Sequence, residues 1–303
     1  MLNAKLDFKL LFALMGVAII WGTTYLGIRI AVDTIPPWFV TAIRQSIASL
    51  ILLVLLLSKG ELKYLGWPHL RRQIILSFLM IVISNGLTTV AEQTIPSGLT
   101  SLLISLVPLV VFMGSVLFKL QKPSIKGFAG VLLGFLGVAF LFRQGLGDLL
   151  DPDYKTGIMF LSLAILGWAT GTIYIKKNVQ KTENIFLDLF YQFAFSAVVQ
   201  WLFAFLFSGD TAVDSWSLPS FLAIVYLGVF GSVIGFFCFH YALKKVSAVK
   251  TSILSYFNTI IAIFLGWLIL DEIITRDVII ATVLIISGVV ITNYTRKEKI
   301  NQT

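Results

Sequence analysis

The chain has 303 residues, 58% of them hydrophobic and 13% charged, with a mean hydropathy of +0.93 and a net charge of +8. A soluble domain is about 25% charged, so these few charges cannot cover a water-facing surface, and the class is a polytopic membrane protein. The basic excess falls in short segments between apolar runs, where membrane topology explains it and nucleic acid is not an expected partner.

A membrane-spanning helix needs about 20 mostly apolar residues, and ten such runs follow one another. The first, 10–30, is longer than a signal-peptide core of about 7–15 residues and reads as an uncleaved span carrying Trp21. The second, 37–57, opens after Pro36-Pro37 and holds Arg44. A charge there is costly unless paired; Asp33 and Glu92 are the partners in reach, and the residue reads as a structural anchor, with binding of a substrate carboxylate as the alternative. The third, 74–91, leads through Asn85 and Thr88 to Glu92, spaced i, i+3 and i+7. The fourth, 98–118, carries Ser101, Ser105 and Pro108 along one helix face. Proline removes a helix hydrogen bond, so Pro108 marks a distortion. The fifth is 126–142.

The remaining runs are 157–175, 185–207, 219–241, 249–270 and 278–294. They bring Trp168 in the sixth, and His240 at the end of the eighth beside the stripe Gly228, Gly231, Gly235, read as close packing. Ser252, Tyr256 and Thr259 follow in the ninth at i, i+4 and i+7. The single cysteine, Cys238, cannot form an internal disulfide.

Loop charge sets the orientation. With the N-terminus cytoplasmic, Arg29, Arg143, Lys155 and Arg276 fall outside and Arg44 lies within a span. The other 18 of the 23 Lys and Arg face the cytoplasm. Both termini are therefore expected inside.

Shifting the sequence on itself superposes its halves. At 147 residues Trp21 meets Trp168, Arg29 meets Lys176, Gln45 meets Gln192 and Ser49 meets Ser196. At 151 residues Thr100-Ser101 meets Thr251-Ser252 and Gly137 meets Gly288. Each half has five spans, an odd number, so the second half runs inverted. The expected fold is all-α integral membrane, with ten transmembrane helices as two inverted five-helix repeats, residues 1–145 and 146–303. Inverted repeats are characteristic of transporters, with the site near the midplane between them.

Trp21-Gly22, Arg44, Ala91 and the Ser/Thr-rich fourth span with Pro108 resemble one EamA unit. Tyr241-Ala242-Leu243-Lys244-Lys245-Val246-Ser247-Ala248, Gly266-Trp267 and Asp271-Glu272 resemble the second. The chain thus resembles a bacterial EamA-type member of the drug/metabolite transporter superfamily. The resemblance implies a central cavity lined by spans 1, 3, 4, 6, 8 and 9, and transport of small metabolites, often amino acids outward. The family often has proline in spans 4 and 9 with glutamate 13 residues later. Here Pro108 is followed by Gln121, and Thr259 by Glu272, so a weaker distortion is expected in span 9.

The expected substrate-binding residues are Trp21, Asn85, Ser101, Ser105, Trp168, Ser252, Tyr256 and Thr259, against helix packing as the alternative for each. Pro108 is the expected helix distortion. Glu92 and His240 are the candidates for coupling to a proton or other ion, Glu92 alternatively being a solvated loop residue. No HExxH, phosphate loop, GxSxG or Cys/His cluster is present, so no enzyme, cofactor or metal site is expected. The expected function is a secondary transporter of the cytoplasmic (inner) membrane, a monomer or weak dimer, moving amino acids or amphipathic drugs outward by alternating access. A channel or a lipid-handling protein on the same scaffold is the alternative.

Overall fold

The computed structural model describes residues 7–95, 100, 103–141, 143, 152–178, 184–209, 213–258, 260–261 and 276–293. Among them every regular element is helical: α1 (Phe8–Ala31), α2 (Pro37–Ser58), α3 (Trp67–Ala91), α4 (Val107–Leu117), α5 (Ile125–Leu141), α6 (Lys155–Asn178), α7 (Ile185–Phe207), α8 (Leu218–Lys245), α9 (Ala248–Ser252) and α10 (Arg276–Asn293). Of these, α1, α2, α3, α6, α7 and α8 are long and apolar enough to cross a membrane, and α4 and α5 are shorter apolar helices.

Helix starts follow from local chemistry. Asp7 caps α1 by accepting from the Leu10 amide, Asn184 caps α7 and Ser217 caps α8. Two helices outrun the apolar windows of the sequence. α3 begins at Trp67 because Gly66, at φ 85°, makes the turn and Pro68 fits the first helical turn; the helix thereby takes in Arg71 and Arg72. α8 runs on to Lys244 and Lys245, whose charges complement the negative end of its dipole.

Outward faces are apolar. On α10, Ile279, Val283, Ile286 and Val290 are exposed at helical spacing, as are Val198, Leu202 and Phe205 on α7. Polar side chains point inward instead: Thr41, Gln45, Ser77, Gln192, Ser196 and Gln200 are all buried. This inversion of the soluble pattern is what lipid demands.

α2 packs on α7, α5 on α10, α1 on α8, α3 on α6, and α4 against α6 and α9. α5 and α10 meet through glycines: a Cβ on Gly288 would collide with backbone atoms of Gly130 and Gly134. Small residues allow such close approach where burial from water cannot drive association. α3 and α8 each widen into a π-helical segment, at Ser77–Gly86 and Leu227–Ile234. Their first residues lie 150 positions apart, within the shift that superposes the halves.

α4 resumes at Val107 after a turn at Ser105–Leu106, with Pro108 in its first turn. α9 is also interrupted, at Ile253, before helical structure continues over 254–258. That break stands six residues before Thr259, which matches Pro108 and lies outside the described residues.

Candidate functional site

α1, α3, α4, α6, α8 and α9 surround a cavity of about 90 Å3. Its apolar wall holds Trp21, Ile28, Trp168, Phe236 and Phe239. Its polar wall holds Thr24, Tyr25, Arg44, Ser84, Asn85, Thr88, Thr251, Ser252, Ser255 and Asn258. Arg44 reaches it from α2, among the described residues the one contribution from outside the expected six spans.

The aromatic wall is a ring cluster drawn from α1, α6 and α8. Trp21 lies 5.1 Å from Trp168 and 5.2 Å from Phe239, and Trp168 lies 5.1 Å from Phe239, centroid to centroid. Phe236 joins at 5.6 Å from Trp21 and 5.7 Å from Trp168. Edge-on and tilted rings at these spacings attract beyond their area burial. Trp21 Nε1 donates to the Gly231 carbonyl. This needs the glycine stripe of α8, since a Cβ on Gly235 would stand 2.5 Å from that indole nitrogen.

The same stripe seats Arg44. A Cβ on Gly231 would stand 3.1 Å from Nη2, and one on Gly228 would press on Ile47 and the Arg44 carbonyl. Arg44 is 3% exposed. Its Nε donates to Ser232 Oγ at 2.9 Å, and Ser232 donates onward to Gln45 Oε1 at 3.2 Å. Neither Asp33 nor Glu92 pairs with it. Asp33 is exposed, and Glu92 is turned toward Arg29 and Tyr25 on α1.

Of the residues singled out from sequence, Trp21, Asn85, Trp168 and Ser252 meet in the cavity. Ser105 is buried but does not line it. Tyr256 faces away: fully buried, it packs over Gly134 and donates to the Val131 carbonyl, tying the helical segment 254–258 to α5. Ser101 and Thr259 lie outside the described residues. His240 is buried rather than interfacial, with Nδ1 on the Phe236 carbonyl and its ring against Phe236 and Phe239. Glu92 is fully buried rather than solvated, and neither carboxylate oxygen has a hydrogen-bond partner. It lies one residue past α3. Burial pushes its carboxyl up, and the Arg29 charge pulls it back.

A second polar cluster was missed from sequence. His69 Nε2 stands 2.7 Å from Asp188 Oδ1, and Gln192 donates to Gln73 Oε1 at 2.8 Å, joining α3 to α7. All four side chains are buried. The signal was present as two i, i+4 polar pairs, His69/Gln73 and Asp188/Gln192, each at the start of an apolar run.

Many apolar helices around a central cavity of mixed polar and aromatic lining are the architecture of a multi-pass membrane protein, the class that includes transporters. The chain belongs to the EamA-like transporter family, whose profile matches residues 8–143 and again 155–294, and it is a membrane transporter of that family. It is 25% identical over 287 residues to the uncharacterized transporter YoaV of Bacillus subtilis, covering 95% of this chain and 97% of that one. It is 29% identical over 255 residues to the uncharacterized inner membrane transporter YedA of Escherichia coli K12, covering 84% and 80%. A crystal structure superposes with a TM-score of 0.77 at 18% identity, covering 94% of this chain and 97% of that one, so the fold is shared.

Proposed function

We propose that the chain is a secondary transporter of the cytoplasmic membrane that carries a small metabolite by alternating access. Its scaffold is ten spans in two inverted repeats, residues 1–145 and 146–303, with both termini cytoplasmic. Substrate meets Trp21, Asn85, Trp168 and Ser252, and movement is outward, with amino acids and amphipathic drugs as the substrate classes the family suggests.

The helix pairing supports the repeat. Advancing each label by five turns the pair α1–α8 into α6–α3 and leaves α2–α7, α4–α9 and α5–α10 unchanged. A pseudo-two-fold axis between inverted halves produces that pattern. The matched π segments and the meeting of Trp21 with Trp168 support it as well.

The observation that carries the transport reading is the central cavity lined from both halves. Sites for drug-sized ligands run about 300–1,000 Å3, and 90 Å3 is far smaller. A substrate of that size therefore needs the cavity to widen, which a parting of the two halves would supply, and the rings of Trp21, Trp168, Phe236 and Phe239 form the wall that would move.

Counterflow in reconstituted vesicles tests this. Preloaded unlabelled substrate should accelerate uptake of labelled substrate, because a carrier returns faster when loaded. Uptake that preloading never accelerates, for any compound that crosses, would favour the channel reading instead.

A further inference from the structure

We propose that Arg44 is the anion-binding group of the central cavity, and that the substrate is an organic monocarboxylate whose apolar or aromatic body rests against Trp21, Trp168 and Phe236. The proposal rests on the transporter reading and adds the substrate class.

Among the described residues, Arg44 is the only charged side chain in the cavity lining. A guanidinium at 3% exposure is expensive unless an anion neutralises it. Among the described residues no carboxylate pairs with it; its side-chain bond goes to the neutral hydroxyl of Ser232. Because Nε is already committed to Ser232, and Ser232 in turn to Gln45, the fork is fixed. Its Nη1/Nη2 edge is left for a ligand. That edge matches the two oxygens of a carboxylate.

The rest of the polar wall points the same way. Asn85 Nδ2 is buried without a partner, and so is Ser255 Oγ. Both line this cavity. An amide N–H and a hydroxyl can donate to an anion, and among the described residues no lining side chain is acidic to receive an ammonium. The lining therefore favours a negative head group over a cation. The remaining wall is aromatic, which suits an apolar body.

The second half places no arginine at the matching position. At the 147-residue shift that pairs Gln45 with Gln192, Arg44 meets Tyr191. That tyrosine donates to the Lys63 carbonyl at the surface, so the matching helix packs with no charge there. Gly231 lies against the guanidinium, where a Cβ would stand 3.1 Å from Nη2.

The test uses the full-length protein, purified for thermal shift and reconstituted for counterflow. The probes are a set of aromatic and aliphatic monocarboxylates, each with its amide and its amine, together with inorganic phosphate, sugars and nucleosides. At least one acid should bind saturably and about tenfold or more tighter than its own amide and amine, a gap of about 1.4 kcal/mol per tenfold. Arg44→Gln should bring that acid down to the level of its amide while leaving the amide unchanged. Arg44→Lys should restore only part of the preference, because a lysine lacks the fork. An acid bound no better than its amide by the wild type overturns the proposal, whether or not the variants fold. So does an acid preference that survives in Arg44→Gln, or phosphate binding as tightly as the best acid. If sugars, nucleosides or amines exchange and no acid does, the substrate class fails and the transporter reading stands. If nothing exchanges, the transporter reading fails too.

Discussion

Glu92 is a carboxyl with no exposed surface and no hydrogen bond to either oxygen. Its titratable and charged neighbours are Tyr25 and Arg29, both on α1. Burial outweighs the Arg29 charge, so the group takes up a proton at higher pH than an ordinary carboxyl near 4.5. The sign follows from linkage. A carboxyl whose folded value is raised adds its stability below its unfolded value and loses it as pH rises through the folded one. The closed state should therefore lose thermal stability as pH climbs above about 4.5, with the loss complete once Glu92 is ionised. Melting of Glu92→Gln in detergent should lack this component, and transport by that variant should lose the matching pH dependence. Identical pH profiles for the variant and the wild type would remove Glu92 from coupling. The residue looked solvated from sequence because it follows an apolar run and precedes Pro96. Its burial depends on α1, more than 60 positions earlier, and a linear pattern cannot report that.

At the scale of elements, two basic residues do matching work. Arg29 Nη1, near the end of α1, donates to the Glu92 carbonyl just past α3. Lys176 Nζ, near the end of α6, donates to the Leu243 and Val246 carbonyls at the end of α8. The two residues superpose at the 147-residue shift, and each caps the carbonyl end of a helix, where a cation is favoured. In the proposed orientation Arg29 lies on the outer side and Lys176 on the cytoplasmic side. The pair then behaves as two latches on opposite exits. Each is worth about 1 kcal/mol, which is several-fold in the population of an open state. A cysteine at Ser252, in a Cys238→Ser background, reads this out with a membrane-impermeant maleimide. Lys176→Met should raise labelling from the cytoplasmic side, and Arg29→Met from the outer side. Two variants that shift labelling in the same direction would refute the latch. The shift of the sequence on itself made the Arg29–Lys176 match legible. What each residue holds was not, because the acceptors are backbone carbonyls, which carry no sequence signature.

At the scale of the whole molecule, legibility divides by the kind of force involved. The membrane class and the positions of the long helices were open to reading because lipid imposes a composition on every span. The span edges were less so: Gly66 and Pro68 let α3 start early, and Lys244 and Lys245 ride inside α8 because its dipole favours them. Half of the expected substrate residues gather at the cavity, the aromatic Trp21 and Trp168 among them. Tyr256 misled because its i, i+4 relation to Ser252 assumed an unbroken helix, and the turn at Ile253 rotates one away from the other. Arg44 was placed correctly and given the wrong neighbours, since its partner Ser232 comes from the other half. Orientation rests on the most global signal, the loop charges. Only Arg29, Arg143, Lys155 and Arg276 fall on the proposed outer side, against 18 basic residues on the inner, and translocating short basic loops is strongly disfavoured. A second half running opposite to the first needs both termini on one side. Alkaline phosphatase, active only outside the cytoplasm, should therefore be active when fused after Gly209 and inactive after Gly60. Green fluorescent protein at the C-terminus should fluoresce. Phosphatase activity at the C-terminus would mean an odd number of spans, and with it the division into two equal halves of five spans would fall.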